Sequence, residues 1–111
     1  YLPERKSLAA VLKAVSGSAN GVVMVNGVPR TVLDRNGRAA FGDGRKVAGV
    51  LGRGIHELCV ASVREAVAIR DRQALDLEIV GVGGVASADD AARFFDAGAA
   101  AVMMGSAPMY D

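Results

Sequence analysis

"EIVGVGGVASADD", Glu78 to Asp90, decides the fold. An apolar run, Ile79 to Val82, stops at two glycines, and Ser87 and Asp90 follow at the Ser-x-x-Asp spacing of a helix capping box. The stretch predicts a strand over Glu78 to Val82, a bare-backbone loop at Gly83 and Gly84, and a helix over Ser87 to Ala97. That helix would turn Ala88, Ala91, Ala92 and Phe95 inward. Gly98 stands where a left-handed C-cap belongs. "AAAVMMG", Ala99 to Gly105, then reads as a strand that again ends in glycine. A strand, one helix and a strand in so short a length make a βαβ unit, which joins parallel neighbours.

Upstream, Leu8, Val11, Leu12 and Val15 repeat at helical spacing and predict a helix over Ser7 to Val15. "GVVMVN", Gly21 to Asn26, is continuously apolar and reads as a strand buried on both faces. Around Asn36-Gly37, a strong hairpin-turn signal, "TVL" and "AAF" predict a β-hairpin inserted at about 28–45. Lys46 to Gly54 reads as a glycine-punctuated lead into a helix over His56 to Ile69, with Val60, Val63 and Val67 on one side beside Cys59 and Ala66. The fold class expected is α/β, with parallel strands, flanking helices and an inserted hairpin.

Composition narrows the function. Hydrophobic residues are 51% of the 111, so a core can form, and glycine is abundant at 14 without a collagen period. A net charge of +1 with signs interspersed gives neither a nucleic-acid stripe nor a polybasic membrane patch. No apolar run approaches the roughly 20 residues a spanning helix needs. No secretory signal is legible, and the single cysteine, which rules out an internal disulfide, suits a reducing cytoplasm, the expected location.

In parallel α/β folds, ligands bind beyond the carboxyl ends of the strands, where bare amides and a helix start suit a phosphate. "GVGG" and "MMGS" supply two such loops on neighbouring strands. A Rossmann site fits less well, because no acidic residue ends the strand that follows the glycines. Glycines serving only tight turns remain the alternative.

Other candidate residues have plainer readings. Cys59 is expected to be a packed small hydrophobe on the outer helix layer, away from strand ends. His56 is read as solvated or bonded to a loop, and no third ligand joins this pair to hold a metal. Asp89 and Asp90 are read as first-turn acids favoured by the helix dipole. Lys46 and Arg53 are read as solvated surface charge. Met103 and Met104 should alternate between the two faces of their strand. Asn26, at a strand end, is either a turn residue or a ligand contact.

Four segments in order, "GVVMVN", "VAGVLGRGI", "IVGVGGVASADDAARFFDAGA" and "AAVMMGSA", resemble the carboxyl-terminal part of the dihydroorotate dehydrogenase family, FMN-dependent (β/α)8 barrels. The resemblance covers nearly the whole chain and implies a partial TIM barrel. It implies that Gly52, Gly83, Gly84, Gly105 and Ser106 meet the FMN phosphate side through their backbone and that Asn26 contacts a small pyrimidine substrate. Gly27 stands where family members carry Thr or Ser, and Leu51 where they carry a loop Ser. No catalytic residue is assigned, because the family's base, a Cys or Ser, and its flavin-contacting Lys belong to earlier segments. The chain alone is therefore expected to be inactive in oxidising dihydroorotate to orotate. The glycine loops also fit a non-catalytic, self-associating fragment that binds FMN or phosphate, or a phosphate-binding barrel enzyme outside flavin chemistry.

Overall fold

The computed structural model describes residues 4–42 and 44–109. Chain order runs α1 (Arg5–Val15), β1 (Gly21–Met24), β2 (Val28–Thr31), β3 (Val47–Val50), α2 (His56–Gln73), β4 (Glu78–Val82), α3 (Ala88–Asp96) and β5 (Ala101–Met103). Short 3-10 turns lie at Arg53–Ile55 and Ala107–Met109. Strands β1, β4 and β5 form one parallel sheet with β4 central, in register at Val23–Val80 and Val80–Ala101. The result is an open segment of a barrel wall.

One face of this sheet carries the core. The helices lie side by side with α2 between α1 and α3 and against β4. Ile79 from β4, Leu8 and Leu12 from α1, Val60, Val63 and Ala66 from α2, and Phe94 from α3 are buried together. Phe94 fits because Gly81 lacks a side chain; a Cβ there would stand 2.4 Å from the ring. The opposite face is covered only at its centre, where Val82 of β4 is buried; Val23 of β1 is 57% exposed and Met103 of β5 52%. This corrects the expectation of a doubly buried first strand. β1 lies at the edge of a three-stranded sheet, and only its Val22 and Met24 face packs on the core.

The inward face of α3 also differs from expectation. Asp90, Ala91, Phe94 and Ala97 turn toward the core, whereas Ala88 and Ala92 are exposed and Phe95 is 52% exposed. The hole at Gly81 selects which of the two adjacent phenylalanines is buried. The helix ends in a full Schellman motif: Gly98, at φ 97°, donates to Phe95 O, and Ala99 donates to Phe94 O.

The hairpin is present and runs beyond the expected 45. β2 pairs antiparallel with β3, so Val47–Val50 is its return strand rather than a lead into α2. Its tip is a three-residue loop. Gly37 at φ 76° donates to Asp34 O, and Asp34 donates back to Arg38 O. The Asp34 carboxylate accepts from the amides of Asn36 and Arg38. Only Gly37 of the Asn36-Gly37 pair takes positive φ, so this is a turn followed by a glycine bulge, not the two-residue primed turn.

Candidate functional site

The carboxyl ends of β1, β4 and β5, together with the loop after the hairpin, enclose a cavity of about 280 Å³. Asn26, Gly52, Gly83, Gly84, Gly105 and Ser106 all line it. They come from four separate segments. The rest of the wall is Leu51, Val82, Val85, Met103, Met104 and Met109, so among the described residues no charged side chain faces the space. Among the described residues, the amides of Gly83, Gly84, Gly105 and Ser106 donate to no backbone carbonyl. Four unpaired donors around an uncharged cavity suit an anionic group, which backbone dipoles can hold without a cation.

The glycines differ in why they are glycine. At Gly105 an added Cβ meets nothing within 4 Å, and the same holds at Gly52, where φ is 82°. These two leave room on the open side. Gly83 and Gly84 are bare for another reason. A Cβ at Gly83 would stand 2.4 Å from Cys59 Sγ, and one at Gly84 would stand 2.7 Å from Gly52 O and 2.9 Å from His56 Cβ. Their missing side chains let the loop press against α2.

That contact relocates two residues. Cys59 is fully buried, but it sits under the strand ends rather than away from them; its thiol donates to Val25 O at 3.1 Å. Burial pushes the thiol pKa up, which disfavours the thiolate that a nucleophile needs. His56 is 4% exposed, not solvated, and its Nδ1 bonds Gly83 O at 3.1 Å. The loop-bonding alternative is the one observed. The pairing was illegible in sequence because the two residues lie 27 apart and meet only through the parallel crossover.

Ser87 caps the start of α3 as expected, but the return half of the capping box reaches the Ala86 amide rather than that of Ser87. Ser87 Oγ accepts from Asp90 N at 3.2 Å, while Asp90 Oδ2 reaches back to Ala86 N at 3.0 Å. The Ala86 amide, then the Ser87 hydroxyl, hold the Asp90 carboxyl below its ordinary pKa. Glu57 and Arg93 form a two-pronged ion pair joining α2 to α3, which lowers the Glu57 pKa through its bond to Arg93. The helix start does not line the glycine cavity. Ala86, Ser87 and Ala88 border a neighbouring space that shares Met104.

Asn26 lies just past β1. Beside it, a Cβ on Gly27 would come 2.8 Å from Leu51 Cδ2, so the two departures from the family pattern are spatial neighbours. Arg53 and Lys46 are exposed and absent from the cavity wall. Met103 and Met104 both line it and are both about half exposed, so they do not alternate as expected; β5 ends at Met103 and its strand period with it. Among the described residues, no three His, Cys, Asp or Glu side chains gather as a metal site, and no helix is long and apolar enough to cross a membrane.

A parallel sheet with helices on one face and glycine loops at its strand ends defines a partial TIM barrel, with a cavity at those strand ends. The family model for dihydroorotate dehydrogenase matches residues 4–111, and the chain belongs to that family. The catalytic subunit of dihydroorotate dehydrogenase B (NAD(+)) from Anoxybacillus flavithermus is 32% identical over 98% of this chain and 33% of its own length. Dihydroorotate dehydrogenase A (fumarate) from Limosilactobacillus reuteri is 34% identical over 88% of this chain and 30% of its own. The chain thus spans about a third of the curated relatives it matches. A crystal structure of DHODH from Eimeria tenella, in complex with ferulenol, superposes with a TM-score of 0.70 at 17% identity, over 96% of this chain and 27% of that one. At that identity the likeness bears on the fold.

Proposed function

We propose that this chain forms the cofactor-phosphate end, and part of the substrate pocket, of an FMN-dependent dihydroorotate dehydrogenase. The amides of Gly83, Gly84, Gly105 and Ser106 hold the FMN phosphate, and Gly52 borders it from the hairpin side. Asn26 has both a donor and an acceptor, which suits the edge of a pyrimidine. When bound, FMN supplies the hydride acceptor for oxidation of dihydroorotate to orotate. The residues of this chain bind and orient; the proton-abstracting base comes from another segment of the polypeptide.

The observation that carries this reading is convergence: six residues from four segments meet at one cavity, where four amides lack backbone partners among the described residues. Family membership supplies the identity of the anion. The test is flavin content of the full-length polypeptide. Purified protein should show flavin absorbance or take up added FMN, and dihydroorotate should bleach it. A colourless sample that refuses FMN would refute the proposal. Flavin that is bound but insensitive to dihydroorotate would instead favour a different substrate or the non-catalytic alternative.

A further inference from the structure

His56 carries a buried imidazole that the proposed chemistry leaves unused. Its Nδ1 lies 3.1 Å from Gly83 O, and because a carbonyl can only accept, Nδ1 bears a hydrogen. Its Nε2 is buried without a hydrogen-bond partner among the described residues and faces Asp90 Oδ1 at 3.7 Å. The ring meets Phe94 edge-on, with centroids 5.2 Å apart. The imidazole is therefore wedged between the glycine loop and the first turn of α3.

The bond to Gly83 O has a directional effect. In a trans peptide the C=O and the following N–H lie in one plane and point opposite ways. Holding Gly83 O against α2 turns the Gly84 N–H away from α2. Gly84 cannot fix its own orientation, since it has no side chain and takes φ 69° freely. We propose that His56 is a positioning residue for the anion loop, orienting the Gly84 amide toward the phosphate through its bond to Gly83 O. This rests on the reading of the cavity as an FMN-phosphate site.

The experiment compares FMN with riboflavin, its phosphate-free form, on the full-length polypeptide. In wild type FMN binds more tightly than riboflavin. In His56→Ala the FMN affinity falls about tenfold, roughly 1.4 kcal/mol, with riboflavin affinity unchanged. His56→Asn, whose amide nitrogen stands where Nδ1 does, restores most of that loss. His56→Gln, which reaches the Nε2 position instead, does not. The Asn and Gln pair still decides the matter if the alanine variant fails to fold.

Equal losses for FMN and riboflavin in His56→Ala, or Asn no better than Gln, overturns the assignment of His56 alone. A wild-type protein that does not discriminate FMN from riboflavin overturns the phosphate site itself, and this inference with it.

Discussion

Gly83→Ala tests the packing beneath the site. At φ 129° an L-residue is strained, at a cost of about 1–3 kcal/mol. The new methyl would also stand 2.4 Å from Cys59 Sγ and 2.7 Å from Val25 O. Neither neighbour can yield cheaply. Cys59 is fully buried, and Val25 O is backbone that already accepts the thiol. Overpacking of this kind adds about 1–3 kcal/mol, for a total of about 2–6 kcal/mol. Gly105→Ala is the control, because its Cβ meets nothing and its φ is not left-handed. It should lie within about 0.5 kcal/mol of wild type while weakening FMN binding by placing a methyl on the cavity wall. Urea denaturation of both variants, read as midpoint shifts at constant slope, measures the contrast. A Gly83→Ala protein as stable as wild type would show that the loop does not press on α2. A Gly105→Ala protein that loses stability but not flavin would show that Gly105 serves the fold.

Three further outcomes follow from the same geometry. Ser87→Ala removes the hydroxyl that caps Asp90 N and should cost about 1 kcal/mol in urea denaturation. Asp90→Asn keeps an acceptor for Ala86 N but removes the charge. Because the folded carboxyl sits below its ordinary value of 3.8, the wild-type advantage should be complete above about that pH and shrink as pH falls through the lower folded value. Parallel acid titrations followed by circular dichroism check this, and an advantage that grows on acidification contradicts it. Gly27→Ser should fold normally, since Leu51 is 58% exposed and its terminal methyl can swing aside; a melting temperature well below wild type would argue that Leu51 is held rigidly.

Sequence reasoning reached the parallel sheet because each strand is an apolar run closed by glycine, and it reached the cavity residues because strand ends in such sheets converge. It erred where a choice depended on the partner surface. The spacing of Ala88, Ala91, Ala92 and Phe95 favours Phe95 as the inward ring, whereas the gap at Gly81, invisible to that spacing, admits Phe94. Cys59 lies in the outer helix layer as expected, but the depth at which α2 sits over the strand ends depends on the missing side chains of Gly83 and Gly84, a close approach that no local pattern records. The return strand Val47–Val50 is short and holds a glycine, so its pairing is set by β2 across the hairpin rather than by its own pattern.

The position of β4 has a consequence for motion. It is the one strand of the parallel sheet bonded on both sides, and its helix-facing Ile79 is fully buried under α2. Its amides should be among the last to exchange with deuterium, after those of the three-residue β5 and the outer edge of β1. Gly83 and Gly84 continue directly from that strand, so one side of the glycine cavity is tethered to the part of the chain expected to open most slowly. Gly105 and Ser106 follow the shorter β5. Breathing of the site should then be one-sided: the β5 lip opens and closes against a fixed Gly83–Gly84 wall.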